Sequence, residues 1–388
     1  MLAMERRSLP MDLAEEILSL IPAKSVARLR STCKGWDGLL KSGSFAKMRT
    51  AKAPKEESVM ITLIDSRVCL LRINLHDPSV RVVTQPFYLR DPLSDPPKEV
   101  DICNIFHCDG LLLCTTKDKR LVVWNPCSGE TMWINPRDRY KKTDYYALGY
   151  DNNSSNKQYK ILRVDLHQDL PVNNEYEIYD FTSNSWKVLG VANDWFLALS
   201  RRGVSLKGNT YWVATRSVGR PSLDFLLSFN FTTEMFESLS LPPTFPISNS
   251  ISALSVVREE ELCLLGIDED HPTDLHVWVA TSTTSWRKSI TLKGKYEGDI
   301  YRYFSKGMSF LADEQNKVVM CLNTNNMLHI LREDKKSSTK NHFEVGKRKH
   351  TKHVTCKLNS VLLNYVPSLA RIQQGSLPGG RKRKSPST

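Results

Sequence analysis

The chain has 388 residues, 40% hydrophobic and 25% charged, with 18 Gly and 19 Pro. This composition excludes collagenous and wholly disordered classes and allows two or three domains or one large repetitive one. The formal net charge of +12 is concentrated at one end: residues 335–388 hold thirteen Lys and Arg against the single acid Glu344, so residues 1–334 balance at 41 against 41. Basicity belongs to a tail, which makes nucleic acid an unexpected partner for the body of the protein.

No run approaches the roughly 18 apolar residues of a membrane helix, and MLAMERRSLPMDLAEE turns acidic where a signal peptide turns apolar. Nine cysteines without paired spacing read as reduced thiols. The expectation is an intracellular chain with no membrane contact, in which the sequons at Asn152, Asn153 and Asn230 carry little weight.

The first predicted element starts at Ser8. In SLPMDLAEEILSLIP, Ser8 caps, Pro10 suits the first turn, and Asp12, Glu15 and Glu16 favour the positive helix end. Leu13, Ile17, Leu20 and Ile21 form one apolar stripe with Leu18, and Pro22 stops the helix. A second helix is capped by Ser25 and carries Val26, Leu29 and Cys33; a third short piece covers 36–48. So small a unit buries little of its surface, so the stripes need a partner, either the rest of the chain or another protein.

The residues point to the second. LPMDLAEEILSLIPAKSVARLRSTCKGW resembles the F-box, through Leu9, Pro10, Glu16, Ile17, Leu18, Arg30, Cys33, Lys34 and Trp36. That resemblance implies docking onto a Skp-type adaptor and, through it, onto the cullin and RING subunits of an SCF (Skp, cullin, F-box) ubiquitin ligase. By motif position the adaptor contacts are Leu9, Pro10, Leu13, Ile17, Leu18, Ile21, Val26, Leu29 and Trp36.

After a joint at 51–58 the texture changes to short β-branched and aromatic runs between Gly, Asn, Asp and Pro turns. One pattern recurs, a strand, then Asn or Asp, a polar turn and a second strand: VVWNPCSGETMWINP, EIYDFTSNSWKVL, LSFNFTTEMFESLSLPP and VWVATSTTSWRKSITL, with a weaker copy in LLRINLHDPSVRVV. Anchored at Asn74, Asn125, Asp180, Asn230 and Ala280, the steps are 51, 55, 50 and 50 residues, near the roughly 50-residue kelch period. A turn and apolar strand precede the copies, as in CDGLLLC and KGNTYWVA, and ESVMITLID is an early one. About six modules are expected between Glu57 and Arg332, stacked in a ring because each is too small to bury its apolar face alone. A β-propeller protects its edges better than an open β-sandwich, and KLNSVLLNYVPSL offers a ring-closing strand.

HCDGLLLC, VVWNPCSGETMWI, ALGYD, YKILRV, YEIYDFTSNSW, GVSLKGNTYWVA and FNFTTEMF also resemble the type 1 F-box-associated domain of a large plant family related to kelch propellers. The expected organisation is mainly β with a small α-helical start: an F-box at 5–50, a linker at 51–58, a propeller of about six modules at 59–370 with a basic insert at 334–353, and a disordered basic tail at 371–388.

A Gly-rich phosphate loop, a nucleophile elbow, a HExxH helix and paired zinc cysteines are all missing from the sequence. Cys103, His107, Cys108 and Cys114 are dense but lack C-x-x-C spacing, so packing is the better reading; His350 and His353 read as solvated, as do Asp268, Glu269 and Asp270. Trp124, Trp133, Trp186, Trp212, Trp278 and Trp286 are expected to recur at equivalent module positions and read as packing between sheets. Arg381, Lys382, Arg383 and Lys384 form a nuclear-import candidate, giving an expected location in nucleus, cytoplasm or both.

No cofactor, metal or catalytic residue is expected. The resemblances imply a non-catalytic substrate receptor whose loops, for instance around Trp195 and Phe196 or 216–222, hold a target protein for ubiquitination and degradation. The rival readings are a propeller enzyme, a nucleic-acid-associated protein using its tail, and an F-box scaffold acting outside the ligase.

Overall fold

The computed structural model describes residues within 59–372, leaving out 74–81, 167–171, 218–222, 246–251, 268–273, 294–307, 323–327, 333–337, 341–360 and shorter stretches between them. The expected F-box helices, the basic tail from residue 373 onward, Asn74, and the candidates Asp268–Asp270, His350 and His353 lie outside the described residues. Within them the chain is all β, arranged as six antiparallel sheets.

Five sheets follow chain order. Blade 2 is β4 (Ile102–Cys108), β5 (Leu111–Thr116), β6 (Leu121–Trp124) and β7 (Thr131–Ile134); blade 3 is β8 (Asp144–Asp151), β9 (Gln158–Asp165), β10 (Asn174–Asp180) and β11 (Ser185–Ala192). In blade 4 the inner position is split between β12 (Trp195–Phe196) and β13 (Val204–Leu206), which both pair with β14 (Asn209–Arg216), followed by β15 (Asp224–Asn230) and β16 (Met235–Leu239). Blade 5 is β17 (Ser252–Val257), β18 (Glu261–Ile267), β19 (Leu275–Ala280) and β20 (Trp286–Leu292), and blade 6 is β21 (Ser309–Asp313), β22 (Val318–Leu322), β23 (Leu328–Arg332) and β24 (Ser338–Lys340). β24 falls inside the expected basic insert, so part of that stretch is the last blade's outer strand.

Blade 1 joins the two ends of the domain. β1 (Val59–Ile64), β2 (Arg67–Ile73) and β3 (Val82–Phe87) are completed by β25 (Leu362–Asn364), which pairs antiparallel with β1 as Met60 with Asn364 and Thr62 with Leu362. This strand comes from KLNSVLLNYVPSL, the expected closing segment. It leaves no unpaired seam in the ring, the usual hazard of a sheet edge.

Packing confirms the ring. Ile61 and Val68 of blade 1 meet Ile105 and Cys114 of blade 2; Phe106, Ile161 and Phe229 unite blades 2, 3 and 4; Val213 and Leu254 join blades 4 and 5; Val277 and Phe310 join 5 and 6; and Met60 and Leu71 meet Met320 and Ile330, closing 6 onto 1. Ile372 is buried in the core of blades 2–4, two residues beyond the expected domain end at 370.

The repeating Asn and Asp anchors have a local cause. Asp180 and Asn230 end, and Asn125 directly follows, the third strand of a blade, and each side-chain oxygen accepts a backbone N–H of the following turn, from Thr182 (2.6 Å), Thr232 (2.9 Å) and Cys127 (2.9 Å) respectively. Tight hairpins such as Asp109–Gly110 (φ 54° and 78°) and Lys207–Gly208 (φ 51° and 87°) use left-handed residue pairs, which match the right-handed twist of the flanking strands.

Candidate protein-interaction faces

Antiparallel meanders sort their connections by face. First-to-second and third-to-fourth strand turns emerge at one end of each blade; second-to-third turns and the links between blades emerge at the other. The first end carries tight turns such as 109–110, 181–184, 207–208 and 314–317. Most connections at the second end are longer, among them 88–101, 135–143, 240–251 and 293–308. Varied connections on a rigid scaffold are where binding specificity is built.

Blade 1 fixes where Val59 stands. Because β25 takes the innermost position, β1 is that blade's second strand, and its turn Asp65–Ser66 opens on the long-connection face, where the Ser66 carbonyl accepts the Ile102 N–H (2.8 Å). Val59, at the other end of β1, therefore lies on the tight-turn face, and the preceding chain joins the propeller there.

The connection 88–101 is the best-defined part of the long-connection face. Asp91 N–H donates to the Lys98 carbonyl and Val100 N–H to the Leu89 carbonyl, both at 2.9 Å, so the segment is itself a hairpin. Arg120 anchors it, pairing with Asp91 (2.9 Å) and Asp118 while its guanidinium stacks on Trp133 at 4.4 Å; Arg67 pairs with Glu99. The Arg120 hydrogen bond holds the Asp91 carboxyl below its ordinary value. At the tip Leu93 is 88% exposed, next to Pro92.

Blade 3 carries a charge ladder at the same end. Arg163 of β9 lies between Asp144 of β8 (3.0 Å) and Glu177 of β10 (2.6 Å), and Arg137 also reaches Glu177 (3.3 Å). These carboxylates outweigh the desolvation of Arg163 and raise its already high pKa.

The expected site residues divide sharply. Leu9, Pro10, Leu13, Ile17, Leu18, Ile21, Val26, Leu29 and Trp36 lie outside the described residues, as do Arg381, Lys382, Arg383 and Lys384. Trp195 does sit on the long-connection face, but it is only 2% exposed: its ring packs on Phe236 (4.9 Å) and its carbonyl accepts the Asn174 amide. It is a core residue, because the short strand β12 turns it inward; Phe196 is half-buried. Arg216 stacks on Phe225 at 4.3 Å and pairs with Asp194.

The tryptophans are packing residues, though they occupy different strands of the modules. Trp186 and Trp286 are equivalent: each follows a third-to-fourth strand turn and donates its ring N–H to the carbonyl just after the preceding blade's outer strand, Asn135 (2.8 Å) and Ser240 (3.0 Å). The dense Cys and His stretch also packs. Cys108 faces the core of blades 2–4, Cys114 faces that of blades 1 and 2, and His107 accepts the Gly110 N–H (3.1 Å) against Tyr365. Strand alternation sends these donors to opposite sides of one blade, and no group of three His, Cys, Asp or Glu able to hold a metal occurs among the described residues.

The F-box domain profile matches residues 7–45, and that of the F-box associated beta propeller domain matches 59–372. The chain belongs to the family of F-box proteins with an associated β-propeller. Two Arabidopsis thaliana proteins named as F-box proteins are 48% identical over 386 residues, covering 95% of this chain and all of the relative, and 45% identical over 381 residues, covering 94% and 96%. A protein of the same plant named as an F-box/kelch-repeat protein is 41% identical over 382 residues, covering 95% and 97%. Among solved structures, YCF48 bound to D1 peptide is similar at 10% identity and a TM-score of 0.36, over 74% of this chain and 82% of that one. In this F-box protein the domain-length match ends at Ile372, the residue buried in the core.

Proposed function

We propose that this F-box protein is the substrate receptor of an SCF ubiquitin ligase: its F-box docks a Skp-type adaptor, and the long-connection face of its propeller holds the target protein. One observation carries the reading, the covalent union of an F-box at 7–45 with a ring whose N-terminal strand starts on the face opposite its long connections. Entry of the chain on one face and the longer, varied connections on the other support separate surfaces for adaptor and target.

The mechanism is proximity. Tethering target and ubiquitin-carrying enzyme to one scaffold turns a bimolecular encounter into one at high effective concentration, so the receptor supplies geometry rather than a nucleophile. Ubiquitinated target would then pass to the proteasome. The stretch from Arg381 to Lys384 is proposed to direct nuclear import, with the cytoplasm as the second location.

The deciding experiment is a pull-down of purified full-length protein with a Skp-type adaptor, beside a variant carrying Leu9→Ala, Pro10→Ala and Ile17→Asp, with both folds checked by circular dichroism. Stoichiometric binding lost in the folded variant is the expected result. A well-folded wild type that fails to bind adaptor overturns the proposal.

A further inference from the structure

The 88–101 hairpin ends in an apolar tip that the propeller itself does not cover. Pro92, Leu93, Pro96 and Pro97 are all exposed there. At 88%, Leu93 is the most exposed large hydrophobic side chain among the described residues, ahead of Met235 at 62%. Single apolar residues on a surface are ordinary, whereas four on one turn, with the exposed Tyr88 at its base, make a patch.

The tip is held in place. Leu93 N–H donates to one carboxylate oxygen of Asp91 (3.0 Å), and the other oxygen of Asp91 pairs with Arg120 (2.9 Å). The Ser94 hydroxyl donates to the Asp91 carbonyl (3.1 Å) and accepts the Lys98 N–H (2.7 Å). A line of bonds from Arg120 through Asp91 therefore fixes the backbone of a side chain left in water. Ordering a turn costs conformational entropy, and a turn already ordered in the free protein spares a partner that cost on binding.

Charges around the tip are matched within the protein. Arg67 pairs with Glu99, Lys117 with Asp101 (3.2 Å), and Arg120 with Asp91 and Asp118. The exposed Asp95 and Lys98 are one of each sign. The hairpin thus offers no surplus charge to a phosphorylated or strongly charged segment, which would call for a cluster of uncommitted cations or acids. The complement of a convex, electrically balanced, apolar knob is a concave apolar pocket.

We propose that Leu93, shouldered by Pro92, is an anchor that inserts into an apolar pocket on the surface of a folded target protein. The inference rests on the substrate-receptor reading and names the chemistry of its target contact.

The test pans a phage-displayed library of plant protein domains against immobilised full-length protein, with Leu93→Asp and Met235→Asp in parallel and all folds checked by circular dichroism. Met235 is the exposed apolar control, at the tight-turn end of β16. Clones enriched on the wild type should fall at least about tenfold on Leu93→Asp and keep their enrichment on Met235→Asp. Asp91→Ala keeps Leu93 but frees its turn, and should weaken the same clones severalfold; it decides if Leu93→Asp does not fold.

Equal enrichment on the wild type and on either folded variant overturns the proposal, as does a wild type that enriches no clone above blank beads. Adaptor binding by the wild type separates this failure from that of the underlying reading. Clones that bind regardless of Leu93, on a protein that also binds adaptor, remove the anchor and leave the receptor role.

Discussion

Asn125 does two jobs with one side chain, and an isosteric change separates them. Fully buried at the end of β6, its oxygen accepts the N–H groups of Cys127 (2.9 Å) and Ser128 (3.3 Å), while its amide nitrogen donates to the carbonyls of Ser368 (3.1 Å) and Ala370 (2.9 Å). The second pair ties down the segment after β25, which leads to Ile372 in the core of blades 2–4. Asn125→Asp keeps the turn acceptor but aims a carboxylate oxygen at two carbonyls. Two lost hydrogen bonds at about 1 kcal/mol each, plus burial of an uncompensated charge, give a loss of about 3–5 kcal/mol. With an unfolding entropy of about 2.1 cal/mol/K per residue over the propeller, that is a Tm lowered by about 5–8 °C.

Asn230→Asp is the internal control. Asn230 caps the same turn of blade 4 by accepting from Thr232 (2.9 Å) and Thr233 (3.2 Å), a role that a carboxylate fills equally well, so its Tm should move by less than about 2 °C. Circular dichroism melts of both variants at pH 7 provide the measurement. Lowering the pH should restore part of the Asn125→Asp loss, because a protonated carboxyl regains one donor. Shifts that agree within about 1 °C for the two variants would refute the assignment of Asn125 as the clasp of the C-terminal segment.

Three further outcomes follow from the packing. Burial lowers the His107 pKa from 6.5 to about 4, so the unfolded chain binds the extra proton first; stability from this residue is complete above pH 6.5 and is lost as pH falls toward 4, by at most about 3 kcal/mol. His107→Gln keeps an acceptor for Gly110, and the drop in urea midpoint between pH 7 and pH 4.5 should shrink; an undiminished drop counts against the residue. Arg163→Met removes the buried partner of Asp144 and leaves Glu177 only Arg137, and should cost about 3–5 kcal/mol in urea unfolding, partly recovered by adding Asp144→Asn and Glu177→Gln; a loss below about 1 kcal/mol contradicts this. Gly149→Ala would set a Cβ 2.2 Å from the Phe231 ring and 2.4 Å from the Gly208 carbonyl, costing about 1–3 kcal/mol, with Phe231→Leu in the same chain returning some of it; no recovery would place the strain elsewhere.

The sequence by itself determined whatever depends on near neighbours. Asn125, Asp180 and Asn230 could be aligned because an Asx turn is complete within three residues, and the apolar strands around them announced modules too small to stand alone. The F-box motif and the propeller segments were legible for the same reason, as ordered residues at short spacing. Tertiary structure decided what depends on residues far apart. That Trp195 is core rather than a target contact follows from Phe236 and Asn174, and nothing in its own segment says so. The position of β1 as second strand of its blade, and hence the face on which the N-terminal chain joins, was decided by β25, about 300 residues away.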